Sequence, residues 1–205
     1  MLTSILFLFY IIAAYLIGSI SSAIIVCRLF SLPDPRTEGS HNPGATNVLR
    51  IAGVKYGIIV LVADILKGLI PVAFAHLLGA NTTTLAYVCL AAVFGHMYPL
   101  FFKFKGGKGV ATALGALLGF HWLVGLMAIA TWLVVALISR YSSLASVIAI
   151  VFSPFYAIGI SHNIDTVIPL GIIVMFVVYK HHANITRLID GEETKITFKR
   201  GKPAG

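Results

Sequence analysis

Charged residues are scarce in this chain. Only 11% of its 205 residues are Asp, Glu, Lys or Arg, against about 25% in an ordinary soluble domain, so there is too little charge to clothe a globule in water. Acidic residues are scarcer still, seven against fifteen Lys and Arg, and no acidic pair suited to glycoside chemistry stands out among them. Cysteine is confined to Cys27 and Cys89; both lie in apolar runs, where packing is the ordinary role, and no disulfide framework is expected. A basic segment ahead of the first apolar run is also missing, and that run is too long for the core of a signal peptide. It is expected to stay as the first helix.

What fills the chain instead is hydrocarbon. Apolar residues make up 59% of the sequence and the mean hydropathy is +0.96, with the apolar excess gathered into long runs. The expectation is an all-α polytopic membrane protein with one domain over residues 1–205. The runs cover residues 2–27, 56–75, 85–102, 110–139 with an interruption at Gly119-Phe120-His121, 144–160 and 167–179.

Placing the cations orients the bundle. Arg28, Arg36, Arg50 and Lys55 fall in the first connection, Lys103, Lys105 and Lys108 in the third, Arg140 in the fifth, and Lys180, Arg187, Lys195, Lys199, Arg200 and Lys202 in the tail. The alternate connections, 76–84, 119–121 and 161–166, hold no Lys or Arg, and Lys67 inside the second run is the single exception. By the positive-inside rule the basic connections and the C-terminus are cytoplasmic, and the N-terminus is outside. The net charge of +8 therefore reads as topology, and no nucleic-acid partner is expected.

The span count is the harder number. Residues 109–139 must leave the basic side and return to it, yet these 31 residues make only about 46 Å of helix, where two crossings need about 60 Å. The expected architecture is a seven-helix transmembrane bundle, with five full spans plus a re-entrant pair as the alternative.

Polar residues concentrate in the basic connections. Glu38 to Arg50 reads EGSHNPGATNVLR, in which glycines and Asn42-Pro43 prescribe tight turns while Ser40, Thr46 and Asn47 supply neutral polar groups near Arg50. Lys105-Gly106-Gly107-Lys108-Gly109 runs straight into an apolar helix, so its amides, two lysines and the helix N-terminus suit an anion. The Walker A spacing is absent. His181, His182 and Asn184 follow the last run; no Cys or carboxylate cluster completes a metal set, and a general-base or phosphate-contacting role fits the histidines better. Asp64 and Lys67, at i and i+3 within the second run, are costly there unless paired, and are expected to form an internal ion pair that orients the loops. His96 is a candidate buttress for the glycine-rich loop. The H-x-x-x-x-D dyad of His–Asp acyltransferases is absent.

Three stretches together are specific. G-S-x-N-P-G-A-T-N-V-L-R (Gly39 to Arg50), G-H-x-x-P-L-F-x-x-F-K-G-G-K-G-V-A-T (Gly95 to Thr112) and H-x-N-I-x-R-L-x-x-G-x-E-x-K (from His182 or His181 through Lys195) resemble, in order and spacing, the motifs of the bacterial PlsY-type glycerol-3-phosphate acyltransferases. The resemblance covers essentially the whole chain. It implies a multi-pass enzyme of the bacterial inner membrane, with its site on the cytoplasmic side, that moves a fatty acyl group from acyl phosphate to the sn-1 hydroxyl of glycerol 3-phosphate and yields lysophosphatidic acid and phosphate. The expected partners are those two substrates and the bilayer; no metal or other cofactor is implied, and a monomer is expected.

Carried over by motif position, the resemblance implies His181, Asn184 and Ser40 as catalytic residues. It implies Asn42, Thr46, Asn47, Arg50, Lys105, Gly106, Gly107, Lys108, Ser146, Arg187 and Glu193 as substrate-binding ones. Two positions depart from the family pattern: His41 stands where Gly is usual, and Ser21 where Pro is frequent. A transporter or channel for a phosphorylated metabolite is the competing reading, but it needs polar groups along a path through the midplane, and only Asp64 and Lys67 offer any.

Overall fold

The computed structural model describes residues 2–196; Lys199, Arg200 and Lys202 of the basic tail lie outside the described residues. The chain is a helical bundle without strands among the described residues, in the order α1 (Leu2–Gly18), α2 (Ser22–Leu29), α3 (Ala45–Ala52), α4 (Val54–Leu77), α5 (Thr82–Met97), α6 (Val110–Phe120), α7 (Trp122–Ser139), α8 (Ser142–Ser161), α9 (Val167–Lys180) and α10 (His182–Ile189), with short 3₁₀ turns at Leu100–Phe102 and Ile164–Thr166. Large apolar side chains such as Ile12, Ile58, Phe74, Leu137 and Phe155 face outward. An outward apolar face is what a bundle presents to lipid, and it is the reverse of a water-soluble one.

Among the described residues, five stretches are long and apolar enough to cross a bilayer: Thr3–Leu29, which contains the break between α1 and α2, then Val54–Leu77, Thr82–Phe102, Trp122–Ser139 and Ser142–Ser161. A sixth is the pair Ile164–Lys180 and His182–Ile189, bent by 58°. Helix α6 is the short one. Its 11 residues reach only about 16 Å, half the hydrocarbon thickness, while the 18 residues of α7 reach about 27 Å. The length deficit in 109–139 is thus concentrated in α6. A half-length helix is tolerated because α6 is enclosed by protein: it packs against α4, α5 and α7, and Thr112 through Leu117, Gly119 and Phe120 are buried.

Small residues bring these helices close. A Cβ on Gly68 would lie 2.0 Å from the Thr112 carbonyl oxygen, and one on Gly115 would lie 2.0 Å from that of Ile65, so α4 and α6 approach backbone to backbone. Gly18 against Ala92 and Gly95 against Tyr15 do the same for α1 and α5.

Two expected spans change shape. The first apolar run does not continue unbroken to Cys27, because the helix opens at Ser19–Ser21, where two side chains of α4 take over its polar groups. Lys67 Nζ donates to the Ile20 carbonyl at 2.8 Å, and the Ser22 hydroxyl donates to Asp64. The third run stops as α-helix at Met97 rather than Phe102, since Pro99 pushes Tyr98 to φ −132°, ψ 66° and so out of the helical region. Cys27 and Cys89 are both buried free thiols.

The basic connections meet at one end of the bundle. The Ile196 N–H donates to the Arg140 carbonyl at 2.7 Å and the Ser143 hydroxyl donates to Glu193 at 2.7 Å. Residues 191–196 therefore strap across the α7–α8 corner.

Candidate active site

The site is assembled from α3, the glycine-rich loop, the α8 N-terminus, the α9–α10 kink and the C-terminal strap. Helix α3 is amphipathic: Asn47 and Val48 turn inward while Thr46 and Arg50, one turn apart, are exposed on the opposite side. Glycine at 107 follows from a close approach. Its N–H donates to the His96 carbonyl at 3.2 Å, and a Cβ there would stand 2.3 Å from His96 Nε2. Gly109, at φ +83°, turns the chain into α6 in a left-handed conformation that favours glycine. Gly107→Ala is therefore expected to push the loop off α5 and to lower kcat/KM at least tenfold, by roughly the factor that sub-ångström misplacement of reacting groups costs. Steady-state kinetics on the variant checks this.

At the loop's far end the Lys108 ammonium donates to Asn184 Oδ1. Asn184 Nδ2 donates to Glu193 Oε1 at 2.7 Å, and Arg187 Nε donates to Glu193 Oε2 at 2.8 Å. With Ser143 on the same carboxylate, Glu193 ties four elements together. Burial alone would raise its carboxyl; the hydrogen bonds from Ser143, Asn184 and Arg187 outweigh that and hold it below the usual carboxylate range.

Lys108 is lowered to about 8, first by burial, with Arg50 and Arg187 adding repulsion and Glu193 opposing it. A lysine in this state has lost water and gained cationic neighbours, and an entering phosphate would relieve both costs. His181 sits in the 58° kink, 3% exposed. Its Nδ1 donates to the Val177 carbonyl at 2.7 Å, which leaves Nε2 of the neutral ring as an acceptor. Burial, helped by Lys108, pushes it down to about 4, so at neutral pH it is an uncharged ring that orients and makes a poor proton acceptor.

Several expected residues fall elsewhere. Asn47 is 1% exposed; its Nδ2 donates to the Pro35 and Glu38 carbonyls and its Oδ1 accepts from the Ser40 N–H at 2.8 Å. Both amide hydrogens are spent, which moves Asn47 from substrate contact to scaffolding of the first loop. The Gly107 amide is likewise taken by His96. Ser146 donates to the Ser142 carbonyl and accepts from Trp132 Nε1 at 3.1 Å; the serine that reaches the Lys108 cluster is Ser143, one turn earlier. Ser40, Thr46 and Arg50 are exposed and Asn42 is half-buried. Lys105 and Gly106 line a neighbouring groove of about 550 Å³ with Arg36, His41 and Lys180, so the two lysines of the glycine-rich loop serve different recesses. His41, at φ +55°, holds a left-handed turn where glycine would be unstrained.

An outward-apolar helical bundle with a cationic recess at one end, where the partly buried Lys108 meets Asn184 and Arg187 meets Glu193, defines an integral membrane protein with a polar site at one end of its bundle. The sequence profile described as glycerol-3-phosphate acyltransferase matches residues 8–191. The chain is 59% identical to a glycerol-3-phosphate acyltransferase of Legionella pneumophila (strain Corby), over 95% of this chain and 70% of that one. It is 50% identical to one of Ruthia magnifica subsp. Calyptogena magnifica, over 96% and 100% respectively. It also superposes on the crystal structure of PlsY, an integral membrane glycerol 3-phosphate acyltransferase, in the glycerol 3-phosphate form, with a TM-score of 0.88 and 40% identity over 93% of this chain and 96% of that one. The lysophosphatidic acid form gives 0.85 and 39% over 93% and 95%. The chain belongs to the glycerol-3-phosphate acyltransferase family.

Proposed function

We propose that the chain transfers a fatty acyl group from acyl phosphate to the sn-1 hydroxyl of glycerol 3-phosphate at the cytoplasmic face of a bacterial inner membrane. The observation that carries this reading is the recess where Lys108, Arg187 and Arg50 stand together beside Asn184 and the neutral His181. Cations in a site of reduced dielectric suit two phosphate-bearing substrates. The outward apolar helices leave the acyl chain in lipid while its reactive end reaches the recess.

In the reaction the sn-1 oxygen attacks the acyl carbonyl carbon, and the bond from that carbon to the phosphate oxygen breaks. Inorganic phosphate leaves with the electron pair. Because phosphate is a good leaving group, the protein's main task is to place two anions and neutralise developing charge. Lys108, Arg50 and Arg187 serve the phosphates, with Ser40, Asn42 and Thr46 at the rim. Asn184 and His181 orient the hydroxyl and carbonyl. A phosphate dianion, whose second pKa is near 6 by analogy with phosphoserine, accepts the hydroxyl proton, since His181 is a weak base here.

The purified protein should be offered labelled glycerol 3-phosphate with palmitoyl phosphate, palmitoyl-CoA or palmitoyl acyl carrier protein. Lysophosphatidic acid from the acyl phosphate alone is the expected result. Turnover only with a thioester would overturn the donor assignment.

A pH dependence follows from Lys108. The ammonium is lost as pH rises through about 8, so kcat/KM for glycerol 3-phosphate should fall above that point. Lys108→Arg, which keeps its charge, should lose that limb. A wild-type profile flat to about pH 10, near the ordinary lysine value, would contradict it.

A further inference from the structure

The glycine-rich loop rests on a buried charged cluster that does not itself reach the reaction recess. Asp64 on α4 is 1% exposed; it accepts the Ser22 hydroxyl and pairs with Lys67 Nζ at 2.8 Å. The same Asp64 oxygen lies 3.5 Å from His96 Nδ1, on the last turn of α5. His96 Nδ1 is also 3.1 Å from Thr112 Oγ1, on the first turn of α6. The Lys67 ammonium closes the α1–α2 break through the Ile20 carbonyl.

The other side of His96 is the loop itself. Its carbonyl accepts the Gly107 N–H, and its Nε2 stands where a Gly107 side chain would be. The imidazole is therefore a spacer: one edge is fixed by Asp64 and Thr112, the other sets the height of Gly107. Lys108 is the next residue, and its ammonium reaches Asn184. A buried charge pair is an expensive way to stabilise a bundle, because desolvation cancels most of the attraction. Its value here lies in fixing one geometry.

We propose that Asp64 and His96 are positioning residues for the acyl acceptor: they fix the ring that sets Gly107, and through it place the Lys108 ammonium for the phosphate of glycerol 3-phosphate. This rests on the acyltransferase reading above. The acyl donor, whose chain lies in lipid, depends less on the loop. The expected signature is selective loss on the acceptor side.

The test uses the full chain in detergent or nanodiscs, with His96→Ala, Asp64→Asn and the milder Thr112→Val. Calorimetric titration of glycerol 3-phosphate without donor gives a binding constant independent of turnover. His96→Ala should weaken that binding about tenfold, the order expected from losing one charge-assisted contact. It should also raise the acceptor KM to a similar extent, with the donor KM within about twofold. Asp64→Asn and Thr112→Val should move both in the same direction by less. His96→Ala/Asp64→Asn should be no worse than His96→Ala alone, because both act through one contact. Should His96→Ala fold poorly, Thr112→Val carries the same comparison. Unchanged acceptor binding in folded variants, or losses that fall equally on both substrates and track the melting temperature, would overturn the proposal. Wild-type protein that neither binds glycerol 3-phosphate nor turns it over would overturn the acyltransferase reading instead.

Discussion

Lys108→Met should reduce kcat/KM for glycerol 3-phosphate by about two to three orders of magnitude, the usual cost of deleting one preorganised charge-stabilising donor. The size follows from position. Lys108 is the cation that touches Asn184 while sharing its surroundings with Arg50, Arg187 and Glu193. Methionine keeps much of the stem packing, so the loss belongs to the charge and not to a hole. Lys108→Arg should retain more activity than Met, because charge survives while the guanidinium fits poorly in space cut for an ammonium. Steady-state kinetics of the three proteins checks the order wild type, Arg, Met; a Met variant within threefold of wild type would remove Lys108 from the site.

Glu193→Gln should cost about a hundredfold, through the groups it holds. The carboxylate receives Ser143, Asn184 and Arg187 at 2.7 to 2.8 Å. An amide offers one acceptor oxygen and adds two donors, so at least one of the three loses its partner and becomes free to rotate. Asn184 is the member that matters, since it also receives Lys108. The C-terminal strap should loosen together with activity: amide exchange at 191–196 is expected to quicken in Glu193→Gln and to stay unchanged in Lys108→Met. Equal exchange in both would separate Glu193 from the strap.

How much of this was legible in the sequence depends on the range over which each feature is determined. The apolar runs and the shortfall in residues 109–139 are local sums, and they anticipated both the bundle and the short α6. The break at Ser19–Ser21 was not legible, because serines are tolerated within spanning helices and the opening depends on Lys67 and Asp64 arriving from α4. The family resemblance implies Ser146, one of four serines between Ser139 and Ser146. Which one reaches the site, Ser143 rather than Ser146, depends on the path of residues 191–196 more than forty positions later (a separation set by the fold alone). Asn47 looks like Ser40 and Thr46 on paper, but only the inward face of α3 spends its amide on the loop's own carbonyls. Lys105 and Lys108 flank the same glycines, and the left-handed turns at Lys103 and Phe104 send the first toward a different recess. The pairing of Asp64 with Lys67 was readable from the i, i+3 spacing; that His96 joins it was not.

On the function proposed above, an acyl group passes from acyl phosphate to glycerol 3-phosphate in the recess around Lys108. Phosphorus NMR on one reaction mixture tests it most directly, with palmitoyl phosphate, glycerol 3-phosphate and purified protein in nanodiscs, wild type beside Lys108→Met. Wild type should consume both substrates and produce 1-acyl lysophosphatidic acid and inorganic phosphate in equal amounts, while over the same time the variant should leave nearly all of both substrates unreacted. Phosphate released without lysophosphatidic acid, or equal turnover in the variant, would contradict it.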